Sequence, residues 1–217
     1  MKTLVLTLLN LLIIHSLSFA QSDKYQKAMA HNVAIFDTAR SSATSQALIG
    51  AFERIAAVEK TQWLPYYYAG MIAVNLANRE ADKNRVDGWA DQAEVFAHRA
   101  DSLSPANSEV ACLQAMIQFA RINVDFMGRG PTCSARGAEF LQQALKQNPA
   151  NPRAMLVLAQ LRSSAPAGFG GDKALACQLA SKALAIYTTT STDGIEPHWG
   201  GKNAQKMADK CTQTTMK

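Results

Sequence analysis

Charge and aromatic rings are both scarce in this chain: of its 217 residues, 18% are charged and 7% are Phe, Trp or Tyr. Low charge beside 48% hydrophobic residues excludes a disordered chain, which lacks the apolar surface to offset its ordering entropy. Twelve glycines and seven prolines are too few for a collagen-like or linker protein. Four cysteines are too few for a miniprotein whose bridges replace a core. The basic residues are spread singly, with no stripe of Lys and Arg interleaved with aromatics, so nucleic acid is not the expected partner. After the first twenty residues no apolar run is long enough to span a bilayer, so the mature chain is expected to carry no transmembrane segment. The length suits one domain.

The opening segment, MKTLVLTLLNLLIIHSLSFA, has one charge at Lys2 and an apolar stretch from Leu4 to Ile14. It closes on Ser18-Phe19-Ala20, with small residues at the −3 and −1 positions. These are the three regions of a secretory signal peptide. Residues 1–20 are therefore expected to be removed, leaving 21–217 as one exported domain. The expected address is the periplasm of a double-membrane bacterium, with secretion as the alternative.

What is present in abundance is repetition. Phe52, Phe96 and Phe140 stand 44 residues apart, and Ala56, Ala100 and Ala144 follow each by four. In the same register come Tyr66, Val110 and Ala154, then Ala69, Leu113 and Val157, then Ala73, Ile117 and Leu161. Offsets of i, i+3 and i+7 mark one face of an α-helix. Each unit thus reads as two helices, the second carrying Phe-x-x-x-Ala, a bulky knob beside a small hole. Ser104-Pro105-Ala106-Asn107 and Asn148-Pro149-Ala150-Asn151 end one helix and open the next, since Pro cannot continue a helix and Asn caps one well.

This pattern resembles the tetratricopeptide repeat, a helix–turn–helix unit of 34 residues. Ala93, Ala97 and Ala100 before Pro105, and Gly137, Leu141 and Ala144 before Pro149, match the second helix of that family. Tyr66, Ala69, Gly70 and Ala73 match its first. The surplus of ten residues is assigned to long loops at Asn78 to Gly88 and Ile122 to Thr132. Trp63-Leu64-Pro65-Tyr66-Tyr67-Tyr68 and Phe169-Gly170-Gly171-Asp172 add a likeness to a group of exported bacterial tetratricopeptide-like proteins. The resemblance implies an all-α fold, a right-handed α-solenoid of about four helix pairs plus a C-terminal capping helix. A stripe of Tyr25, Met29, Val33 and Phe36 precedes the first Phe-Ala unit, and a polar segment from Lys202 to Cys211 supplies the cap.

If the helix around 172–187 and the cap run antiparallel, Cys177 and Cys211 lie equidistant from the connecting loop and face each other. Cys112–Cys133 then follows by elimination; the alternative for all four is small thiols packed between helices. His31, His98 and His198 are isolated, so no metal site or cofactor is expected. Gly201-Lys202 lacks the upstream glycine and the Ser or Thr of a phosphate loop, and Asp172 reads as a helix cap for the glycine-rich turn before it. The 190–200 segment reads as a loop tucking Trp199 against the last helices.

The tetratricopeptide family binds its ligands mostly through the first helix of each pair. The resemblance therefore places a concave partner-binding face at Leu64, Tyr67, Met71, Val74 and Asn75, with Phe126 and Met127 as a second contact patch. Tyr67 and Met71 stand where that family's carboxylate clamp needs Lys and Asn, so the clamp is absent and an apolar peptide or partner helix is expected instead. The expected function is a non-catalytic protein- or peptide-binding scaffold of the cell envelope. The rival is a small-molecule or glycan binder, or an enzyme, using a cleft near Trp199, His198 and the Gly168–Asp172 turn. N-terminal sequencing of the exported protein should return Gln21 as its first residue; retention of Met1 would refute cleavage after Ala20.

Overall fold

The computed structural model describes residues 23–215; the leader expected at 1–20 lies outside the described residues, as does the side chain of Phe169. All regular structure among the described residues is helical. Helix α1 covers 23–38, followed by α2 (Ser42–Val58), α3 (Leu64–Arg79), α4 (Lys83–Leu103) and α5 (Ser108–Arg121). Then come α6 (Phe126–Gln147), α7 (Pro152–Ser164), a 3₁₀ turn at Ala167–Phe169, α8 (Lys173–Thr189) and α9 (Gly201–Thr215). No helix among the described residues is long and apolar enough to cross a membrane.

Capping chemistry explains where the helices begin. The side chains of Ser41, Asp82, Asn107, Asp125, Asn151 and Asp172 each accept from a backbone N–H of the first turn of α2, α4, α5, α6, α7 and α8. Each satisfies a donor that the helix geometry leaves unpaired. Two of these caps correct the sequence reading. The stretches Asn78 to Gly88 and Ile122 to Thr132, expected to be long loops, are mostly helix. Asp82 starts α4 and Asp125 starts α6 well before the glycines and proline that suggested a loop, and Pro131 lies inside α6. The ten surplus residues of each unit therefore lengthen its second helix, to 21 residues in α4 and 22 in α6.

Packing follows the 44-residue register. Consecutive helices from α2 to α9 lie against each other, and α3, α5 and α7 also touch as a row. Phe52 and Ala56, Phe96 and Ala100, and Ala144 are buried on α2, α4 and α6; Phe140, the third Phe of the register, is only half-buried, and its neighbour Leu141 takes the buried place. The largest apolar cluster joins α1 through α5: Tyr25, Met29 and Val33 from α1, Phe52 from α2, Tyr67, Tyr68 and Val74 from α3, and Leu113 and Ile117 from α5. A second surrounds Cys112, Leu141 and Val157, and a third joins Met155 and Leu156 to Ala183 and Ala204 on α8 and α9. Full burial of a side chain of this kind stabilises by about 1.5–3 kcal/mol, so these clusters tie α1 through to α9.

Cys177 on α8 and Cys211 on α9 form a disulfide with Cα atoms 5.7 Å apart, as the antiparallel reading expected. The pairing Cys112–Cys133 does not form; both thiols are free. Ser108 Oγ donates to Ala144 O, which sets the register of α5 on α6 and puts Cys112 level with Leu141, where it is fully buried. Cys133 lies eight residues away on α6, about 12 Å along the axis. Replacing both Cys177 and Cys211 by Ser removes closure of a 34-residue separation and should lower stability by about 3–4 kcal/mol, read from denaturant midpoints at equal slope. An unchanged midpoint would mean that the unfolded chain is not restrained by this bridge.

Candidate functional site

The row α3–α5–α7 carries a buried polar node. Asn151 is fully buried, and its Oδ1 accepts from the backbone N–H groups of Arg153 and Ala154 at the start of α7. Its Nδ2 donates to Ser108 Oγ and to Glu109 Oε1, both at 2.8 Å. Arg153 grips Glu109 with two bonds, Nε to Oε2 at 2.6 Å and Nη2 to Oε1 at 2.7 Å, and each side chain is only 13% exposed. Paired bonds between planar groups suit Arg with a carboxylate. Burial disfavours the Arg153 charge, yet its bonds to Glu109 and that residue's attraction carry the pKa above its ordinary value. Glu109 Oε2 lies 3.5 Å from Tyr67 Oη on α3. Burial, with the Glu109 charge adding to it, pushes the Tyr67 phenol well above its ordinary range, so Tyr67 is a neutral hydrogen-bond partner.

Across this row lies the segment joining α8 to α9. The Tyr68 hydroxyl on α3 donates to Ile195 O at 2.8 Å. Trp199 Nε1 donates to Tyr67 Oη at 2.9 Å, and the Tyr187 hydroxyl on α8 donates to Trp199 O at 2.9 Å. His198 Nε2 lies 2.9 Å from Asp37 Oδ2 on α1, and its Nδ1 the same distance from Glu196 O. Ile195 and Pro197 are buried. Beneath them the rings of Phe36, Phe52, Trp63, Tyr67 and Tyr68 form a connected aromatic layer, with Phe52 stacked on Tyr68 at 5.3 Å between centroids and the other pairs edge-on.

The residues picked out from sequence fall into two groups. Leu64, Tyr67, Met71 and Val74 are buried in the α1–α5 cluster and Asn75 is half-buried; this face is occupied by the chain itself. Phe126 and Met127 are 72% and 82% exposed at the start of α6. The structure does not bring Trp199, His198 and the Gly168–Asp172 turn into one cleft. The turn precedes the first residue of α8, where Asp172 caps the helix, whereas Trp199 is bound to Tyr187 in its last turns. A helix of 17 residues is about 25 Å long and separates them. Nor does Trp199 pack only on the last helices: it reaches Tyr67, far back in the chain.

The node was missed from sequence, as was the reach of the 190–200 loop back to α3. One signal was available: Asn107 and Asn151, and Glu109 and Arg153, are themselves 44 residues apart. The repeat thus sets opposite charges at equivalent positions of neighbouring units. Among the described residues no group of three or more His, Cys, Asp and Glu could hold a metal ion. A cavity of about 70 Å³ lies between α4, α5 and α6, lined by His98, Ile117, Arg136 and Phe140 among others. It is well below the roughly 300–1,000 Å³ of sites that enclose a drug-sized ligand.

Among solved structures, the HusA haemophore from Porphyromonas gingivalis is similar to this chain over 88% of its length and 94% of its own, at 34% sequence identity and a TM-score of 0.80. The chain belongs to the HusA haemophore family. No family model and no curated protein sequence matches it. Membership in this family agrees with the all-helical fold.

Replacing Arg153 by Met, or Glu109 by Leu, should each cost about 3–5 kcal/mol by stranding a buried charge, and the double replacement should recover most of that loss. Denaturant unfolding of the four proteins checks this; additive losses would show that the two residues are not coupled.

Proposed function

We propose that this chain is an exported, non-catalytic haem-binding protein, in which residues 21–217 form one domain, a right-handed tetratricopeptide-like solenoid of four helix pairs with α9 as its cap. The observation that carries the binding reading is the 34% identity to a haemophore over 88% of the chain. The solenoid reading is supported by the 44-residue register and by the contacts of α3, α5 and α7 in a row. Export is supported by the leader-like residues 1–20 and by the Cys177–Cys211 disulfide, which suits an oxidising compartment. The aromatic layer at Trp63, Tyr67 and Tyr68 is the chemistry a flat macrocycle needs, since rings stack on rings.

A second reading, capture of a protein or peptide, is favoured by Phe126 and Met127. Two large apolar side chains standing exposed side by side at a helix start suit a contact patch. The two readings are compatible, because a carrier must hand over its cargo.

Titrating the purified 21–217 chain with haemin should give a saturable change in the Soret band, with a dissociation constant of about 1 μM or tighter, equivalent to roughly −8 kcal/mol. No spectral change at about 100 μM haemin, a level that leaves at most roughly −5.5 kcal/mol of binding, would overturn the haem reading. A protein retained by crosslinking in that case, and lost on replacing Phe126 and Met127 by Ala, would favour the second.

A further inference from the structure

We infer that residues 190–200 form a strap that opens independently of the helices beneath it and that, when closed, occupies the aromatic inner face at which the ligand docks; the ligand clause rests on the haem-binding reading above. The strap has no regular structure between the end of α8 and the start of α9. Among the described residues no backbone–backbone hydrogen bond joins 191–199 to a helix. Its polar hold is made by side chains: Tyr68 to Ile195 O, Tyr67 to the Trp199 indole, Tyr187 to Trp199 O, and Asp37 to His198; Ile195, Pro197 and the Trp199 ring add apolar burial. These bonds reach α1, α3 and α8, and none belongs to the backbone ladder of a helix, so releasing them breaks no helix.

Two glycines supply the pivots. Gly194 and Gly200 have φ of +105° and +108°, a region that other residues rarely adopt. A Cβ at Gly200 would also meet Leu156 on α7 and the Tyr187 hydroxyl. The hydroxyls of Tyr67 and Tyr68 are satisfied by the strap when it is closed. When it opens they face water, which replaces those bonds, so no polar group is stranded. The helices below keep the Glu109–Arg153 pair and their own side chains in the clusters, which lose Ile195 and the Trp199 ring. Local opening of this kind is expected where the backbone is held only at its ends; here it exposes Ile195, Pro197 and the Trp199 ring.

Trp199 is the occupant that matters. Its ring lies against both the α1–α5 cluster and the Cys112 cluster, with the indole N–H on Tyr67. A planar aromatic ligand stacking on the same layer would take its place. The chain thus carries an internal substitute for its ligand, and docking and strap closure are mutually exclusive.

The test follows the indole N–H protons of the full 21–217 chain by NMR hydrogen exchange, assigned through Trp63→Phe, Trp89→Phe and Trp199→Phe variants. The Trp199 indole proton should exchange at least tenfold faster than the slowest amides of α3 and α5. His198→Ala and Asp37→Ala should each accelerate it at least threefold while those amides stay unchanged. Exchange of the Trp199 indole at the rate of the α3 and α5 amides, in wild type and variants alike, would overturn independent opening. Stopped-flow mixing with haemin and with metal-free protoporphyrin IX should then show association at least threefold faster in His198→Ala. Equal rates would overturn occupation of the docking face. If the wild type binds neither compound, the haem reading and the ligand clause fail together, and the indole exchange alone decides the opening.

Discussion

The packing of α3, α5, α6 and α7 is organised around one largely buried ion pair, Glu109 with Arg153. Both residues stand two positions after an asparagine that caps their helix, so the cap geometry places them before any packing is considered. Asn151 then spends its remaining donors on Ser108 and Glu109, and Ser108 on the last turns of α6. Three helices are thereby held in one register by groups that cannot be left unpaired at this depth. Apolar side chains alone would fill the space between these helices but would tolerate a slip of one turn. The node does not tolerate it, because a slip would leave a guanidinium and a carboxylate without partners.

The ion pair also fixes the environment of Tyr67. The phenol stands between Glu109 below and the Trp199 indole above, so one side chain links the α5–α7 node to the covering segment. From there the aromatic layer runs outward through Tyr68 to Phe52 and Phe36, and the His198–Asp37 contact reaches α1. Residues near the end of the chain are thus in contact with its first described helix. Polar order in the centre and aromatic order around it are parts of one continuous arrangement.

Much of the fold was legible in the sequence because it rests on local and periodic causes. The helix content, the caps at Asn107 and Asn151, the burial of Phe52, Phe96 and the three alanines that each follow a Phe of the register by four, and the Cys177–Cys211 bridge all follow from spacing. The error over Asn78 to Gly88 and Ile122 to Thr132 came from weighting Gly88, Gly130 and Pro131 above the aspartates at 82 and 125; a side chain that satisfies the first-turn donors outweighs a few poor helix formers. The inner face was the harder case. Tyr67, Met71 and Val74 do sit on the first-helix side of their unit, but no periodicity says that residues 195–199 will return to cover them. That return depends on contacts between positions more than 120 apart, for which a single sequence carries no local signal.

The disulfide gives the covering segment a further property. Cys177 and Cys211 clamp α8 to α9, and residues 190–200 hang between those two helices like the free part of a closed ring. Both attachment points belong to the same body, so the segment is never more than a few residues of slack away from its seat. Its concentration relative to that seat is therefore high whatever the dilution of the protein, and a ligand docking there as proposed would compete with a tethered rival, not a free one. Weak individual contacts at Ile195 and Trp199 are enough to keep such a segment home, and under the proposed docking an affinity measured on the intact chain would include the work of moving it aside.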